Sequence, residues 1–160
     1  MVAPASAFFD TSVLLGGLID LGPSSAAAQR IMEAIADGRV PHPHTAWHCC
    51  LEFYAVSTRL PEEVRLVPSD AWRLIEEEIL GRFTVGQLPD DRRQSFLRSA
   101  SEDGVVGGRI YDAHIAEIAR VFGVAAVVTD NLRHFVGLRR HGLAVMSAAQ
   151  FAETLTPTAS

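Results

Sequence analysis

The stretch "SAFFDTSVLLGGL", residues 6–18, sets a single carboxylate, Asp10, between an aromatic apolar run and a second apolar run. Residues 7–10 read as a strand that passes at once into a short helix. A charge placed beside a core costs several kcal/mol unless something compensates it. Asp10 is therefore a helix cap, a buried ion-pair partner, or a ligand for a cation, and the choice depends on what the rest of the chain brings to it.

Outward from this stretch, short apolar runs alternate with helical patterns, which is the signature of a parallel α/β sheet. Ser24 and Ser25 stand where they would cap a helix that stops at Gly38, and "RVPHPH" holds a brief second strand checked by Pro41 and Pro43. Residues 44–60, "HTAWHCCLEFYAVSTRL", have the pattern of a helix of about four turns. Another helix is expected over 68–80, a third strand over 82–88 and a polar-faced helix over 89–104. The amphipathic segment 108–123 leads into the strand "VAAVVTD", and the chain closes with a strand near "LAVM" and a helix over 147–155. No repeat, linker or low-complexity tract divides the chain, so 1–160 is expected to be one domain.

A chain of 160 residues with 48% hydrophobic and 21% charged residues can bury a core without disulfide or metal staples. The N-terminus lacks a basic region and Asp10 interrupts its apolar stretch, so no signal peptide is expected. No uncharged apolar run approaches the length of a membrane span, which predicts no membrane partner. The two cysteines, Cys49 and Cys50, are neighbours and cannot form an ordinary disulfide framework, which points to a reducing, cytoplasmic setting. The net charge of −5 argues against nucleic-acid binding by bulk electrostatics. All basic side chains are arginine, a residue suited to bidentate phosphate recognition, although biased codon usage explains the missing lysine more simply.

In an open parallel sheet, ligands bind beyond the carboxyl ends of the strands. Asp10 and Asp130 each close a predicted strand. Asp112 opens a helix and shares the core-facing stripe of Ile115, Ala119 and Phe122, close to the positive end of the helix dipole. Taken singly, each of these aspartates reads as a cap sooner than as a ligand. Glu52 is the only acid between His44 and Leu60, on a narrow polar arc with His48 and Arg59 of an otherwise apolar helix. A weak exposed pair with either neighbour would account for it alone. Together the acids suggest an all-oxygen site for Mg²⁺ or Mn²⁺, which prefer carboxylate and water ligands and would relieve the mutual repulsion.

These segments resemble the PIN-domain ribonucleases, and within them the toxins of VapBC toxin–antitoxin pairs. "FFDTSVLL" is similar to the first-strand motif, with Asp10 as the first metal-binding acid and Thr11 and Ser12 as its hydroxyl neighbours. "HTAWHCCLEFYAVSTRL" resembles the helix that carries the glutamate, Glu52, and "RIYDAHIAEIARVFG" the segment that carries the next acid, Asp112. "VVTDNLRHF" is similar to the fourth motif, whose polar position counted from Thr129 falls on Asn131, one residue after Asp130. Either residue could face the metal. The resemblance implies a PIN-like fold with an open five-stranded parallel sheet and helices on both faces. It also implies a Mg²⁺- or Mn²⁺-dependent endoribonuclease that cuts structured RNA such as transfer RNA, a homodimer, and inhibition by a small VapB-like antitoxin. Arg109, Arg133, Arg139 and Arg140 lie near the motifs as phosphate-contact candidates.

Other chemistries fit less well. A receiver domain needs a lysine that the chain lacks, and a haloacid-dehalogenase-like phosphatase needs an acid where Ser12 stands. Metal-independent RNA cleavage would use His44, His114 and His134 as acid and base. A zinc site around His44 and His48 lacks a second ligand pair. A catalytically inactive PIN scaffold that binds RNA or protein is the alternative from another class, favoured by Asn131 and opposed by the intact Asp10, Glu52 and Asp112.

Overall fold

The computed structural model describes residues 2–155. Five short parallel strands form one sheet in the order β3-β2-β1-β4-β5: β1 (Ala7–Phe9), β2 (Pro43–Ala46), β3 (Thr84–Gly86), β4 (Ala126–Val128) and β5 (Ala144–Met146). Every residue of β1 and β4 is buried. Such continuous apolar strands need cover on both faces, as all-parallel sheets do. Phe8 points to one face, where its ring meets Phe122, and Phe9 to the other, edge-on to Phe83 and Phe151.

The helices are α1 (Thr11–Leu18), α2 (Ala26–Ala36), α3 (Trp47–Ser57), α4 (Pro68–Leu74), α5 (Arg93–Glu102), α6 (Arg109–Phe122), α7 (Leu132–Phe135) and α8 (Ala148–Glu153). α1, α2 and α8 pack in sequence against one another, while α6 holds α5 and α7. Beyond α4 the helix widens into a π-helical segment, Ile75–Leu80, with Ile75 and Ile79 buried. Among the described residues no helix is long and apolar enough to cross a membrane.

Two local expectations shift. Residues 44–46 are strand, not the start of the helix: His44, Thr45 and Ala46 pair with Thr84, Val85 and Gly86, and Thr45 Oγ1 donates to Phe9 O at 2.8 Å. Pairing on both sides of β2 outweighs a helical pattern that the sequence shows only locally. Ser25 precedes α2 but does not cap it. Its hydroxyl turns back to accept from Leu21 N (3.1 Å) and meet Ile19 O (3.5 Å), closing the turn after α1. Gly86 ends β3 beneath Phe122, and an added Cβ would lie 1.8 Å from that ring's Cζ.

The chain runs outward from β1 to β2 and β3, then returns to the opposite side of β1 as β4 and β5. The crevice where the direction reverses lies beyond the carboxyl ends of β1 and β4, the place where such sheets bind ligands. Asp10 follows β1, and Thr129 and Asp130 follow β4.

Candidate metal centre

Asp10 is held by the ladder itself, since its N–H donates to Val128 O at 3.0 Å. It occupies the cap position of α1, yet its side chain makes no capping hydrogen bond. The carboxylate Oδ2 accepts from Thr129 Oγ1 (2.8 Å) and from Ser12 Oγ (3.2 Å). With 3% of its surface exposed, Asp10 is pushed up to about 6, chiefly by burial, with the charge of Glu52 adding to the rise. The hydroxyls of Thr129 and Ser12 and the Thr11 amide oppose it. Neither the capping role nor the ion-pair role accounts for this residue: it is a buried acid facing another acid.

Glu52 lies on α3 with Oε1 out of reach of solvent. His48 Nε2 approaches that oxygen to 2.9 Å, but Oε1 gains no aligned hydrogen bond from it. The partner left open by the sequence is thus His48, not Arg59. Asp112 sits in the first turn of α6, and its Oδ2 is 2.6 Å from His134 Nδ1. Glu52 from α3 and Asp112 from α6 both line one cavity of about 400 Å³, with Arg59 and Tyr111. Glu52 therefore links the set: its charge reaches Asp10, and it shares an opening with Asp112.

The fourth motif divides its two polar residues. Asp130 Oδ1 accepts from Ala148 N at 3.2 Å, at the start of α8, while its own N–H donates to Ser12 Oγ. Asn131 is exposed; its N–H donates to Thr129 Oγ1, and its side-chain amide makes no hydrogen bond among the described residues. Thr129 therefore ties Asp10 to the fourth motif through one hydroxyl. Thr11 Oγ1 is buried with no oxygen or nitrogen partner, beside only the Cys49 thiol, a weak hydrogen-bonding group.

As the side chains stand, no three of His, Cys, Asp and Glu among the described residues are close enough to hold an ion. The donor set nonetheless fits a hard divalent cation. A buried carboxylate without a counter-charge, a buried glutamate oxygen without an aligned donor and an orphaned threonine hydroxyl are all oxygen donors, as Mg²⁺ and Mn²⁺ require. Thiolate ligation does not fit: burial pushes Cys49 up to about 12 and Cys50 up to about 11.

The histidines do not converge as an acid–base set. His44 Nδ1 bonds His42 O and its ring packs edge-on to Phe122. His114 Nδ1 lies 3.0 Å from His48 Nδ1, and burial lowers its pKa. His134 is taken by Asp112. Sequence reading missed the Asp112–His134 contact, whereas His48, one turn before Glu52, was one of the two partners it offered for that acid. Of the arginines, Arg109 and Arg133 are exposed, Arg139 donates to Val145 O, and Arg140 lines a separate cavity beside His134.

A profile of the PIN domain matches residues 6–133. The chain belongs to the PIN-domain family. Over 103 residues, 64% of this chain and 72% of the relative, it is 35% identical to a protein named Ribonuclease VapC27 from Mycobacterium tuberculosis. The fold is shared with solved toxin–antitoxin complexes at lower identity. VapBC2 of Rickettsia felis, bound to a promoter DNA fragment, matches with a TM-score of 0.58 and 12% identity, over 89% of this chain and 98% of that chain. VapBC-1 of nontypeable Haemophilus influenzae matches with a TM-score of 0.57 and 15% identity over the same shares. This chain is thus a PIN domain of VapC type.

Proposed function

We infer that this PIN domain is a Mg²⁺- or Mn²⁺-dependent endoribonuclease and the toxin of a type II toxin–antitoxin pair, acting on structured RNA such as transfer RNA in the cytoplasm. The single observation that carries this reading is Asp10, a buried carboxylate at the sheet's switch point that, among the described residues, meets the charge of Glu52 and no basic side chain. Asp10, Glu52 and Asp112 would hold the metal. Asn131 would supply a fourth oxygen by the register of the fourth motif, while Asp130 Oδ1 holds Ala148 N. Bound there, a divalent cation lowers the pKa of a coordinated water and neutralises charge on a phosphodiester.

The chain's own residues do the rest. Thr129 and Ser12 fix Asp10 in place by donating to Oδ2. Glu52 and Asp112, which line one cavity open to solvent, are the acids that could orient an attacking water. Exposed Arg109 and Arg133 can contact RNA phosphates without a basic surface overall. The toxin role rests on the VapC relative and on the toxin–antitoxin complexes that share the fold. It implies a homodimer and a small VapB-like antitoxin. A basic side chain of the antitoxin, placed among these acids, would compete with metal, and its apolar residues would cover the exposed Trp47 and Tyr54.

Incubating purified protein with structured RNA, with and without Mn²⁺ and with a chelator, tests the reading. Specific cleavage that requires the metal is expected. Cleavage that survives chelation would transfer the chemistry to the histidines. RNA binding without cleavage at any metal concentration would make the protein an inactive PIN scaffold.

A further inference from the structure

Asp112 and His134 are separated by 22 positions in the chain and meet side chain to side chain at 2.6 Å, the shortest contact made by any candidate metal ligand. A carboxylate only accepts hydrogen bonds, so the imidazole must carry its proton on Nδ1, and a neutral ring suffices. Both ends of the contact are anchored. Asp112 is one turn before the buried Ile115 on α6, and His134 is next to Phe135, which is 1% exposed on α7. α7 begins at the turn that Thr129 closes by accepting from Asn131 N. The turn that orders Asp10 thus also orders the imidazole against Asp112.

We propose that His134 is a positioning residue for Asp112: its Nδ1–H occupies Oδ2 and leaves Oδ1 as the oxygen offered to the cation. This rests on the reading of Asp112 as a metal ligand. A carboxylate with one oxygen tied is a directed single donor, which suits the rigid demands of Mg²⁺. A carboxylate released from such a partner can turn, and it serves larger and more tolerant ions better. Outer partners of this kind commonly change metal affinity by 10–100-fold when removed. Asparagine places an amide N–H close to where histidine places Nδ1, so His134→Asn keeps the donor while His134→Ala removes it.

The test is metal binding without RNA, in wild type, His134→Ala, His134→Asn and Asp112→Asn. Mn²⁺ binding is followed by electron paramagnetic resonance and Mg²⁺ by competition, after circular dichroism confirms that each variant is folded. His134→Ala should weaken Mg²⁺ binding by about 10–100-fold and Mn²⁺ binding by less, so that the Mg²⁺/Mn²⁺ affinity ratio falls. His134→Asn should stay within about threefold of wild type on both. A merely structural histidine would lower both affinities together and would not be rescued by asparagine, which would overturn the proposal. Wild-type affinities in His134→Ala beside lost binding in Asp112→Asn would overturn it while leaving the site intact. Undiminished binding in Asp112→Asn would remove the metal reading of Asp112 and the positioning role with it.

Discussion

Asp10 and Asp112 are two carboxylates of one candidate site, and they are held in opposite ways. Asp10 stands at the end of a central strand, 3% exposed, fixed by the ladder through Val128 and by two hydroxyls. Asp112, like Glu52, stands on a helix at the rim and is met by an imidazole instead. The strand-end acid is placed by the core and pays for its burial with a raised pKa. The rim acids are part-exposed, and imidazoles rather than the ladder place them. The difference teaches that the candidate site has one rigid member and two adjustable ones.

The largest effect is expected at the rigid member. Asp10→Asn should reduce RNA cleavage by at least about a hundredfold while the protein stays folded. Its stability should also lose a pH dependence that wild type shows. The Asp10 carboxyl titrates near 3.8 unfolded and about 6 folded, so the folded state binds the proton more tightly. Metal-free wild type should therefore be most stable below pH 4 with respect to this group and lose stability as pH rises through 6. That loss is on the order of 3 kcal/mol by linkage. Urea unfolding between pH 4 and 7 would show the slope in wild type and its absence in the variant, and saturating Mn²⁺ should restore stability above pH 6. An unfolded Asp10→Asn would erase the contrast by making Asp10 structural.

Glu52→Gln and Asp112→Asn come next. Each should cost cleavage at least about tenfold and change stability by less than about 1 kcal/mol, because both side chains are part-exposed. A loss of several kcal/mol in either would mean that the rim acids are as built-in as Asp10.

Thr129→Val sharpens the comparison from the other side. It keeps the shape and removes the hydroxyl that donates to Asp10 and accepts from Asn131 N. Taking one of two donors from the buried Asp10 Oδ2 should cost about 1–3 kcal/mol, read by urea unfolding, and move the Asp10 slope to higher pH. The smallest effect is expected at Asp130→Ala, about 1 kcal/mol from the lost contact to Ala148 N, with cleavage kept within about threefold. Asn131→Ala should do the reverse, costing cleavage and little stability. An exchange of these two outcomes would make Asp130 the fourth ligand.

Much of this was legible in the sequence because the deciding signals are local. The alternation of short apolar runs with amphipathic helices gave a parallel sheet, and five parallel strands are present. Asp10, Glu52, Asp112 and Asp130 stood out as candidates because an acid beside an apolar run, or alone on a buried helix, conflicts with its surroundings, whereas Asn131 was a candidate only through the register of the PIN resemblance. The PIN resemblance read from four motifs agrees with the profile, which covers the first three and the fourth as far as Arg133.

What only the tertiary structure decided is whatever depends on partners far apart in the chain. Residues 44–46 became strand because β1 and β3 flank them. Thr129 reached Asp10 across 119 positions because β4 pairs with β1, and His134 reached Asp112 because α7 packs on α6. Asp130 was drawn to α8 by an unpaired backbone N–H at the helix start. A sequence fixes which residues cannot rest comfortably where its local pattern puts them. The parallel crossovers bring the compensating groups, and a parallel ladder joins strands whose neighbours in space are never neighbours in the chain.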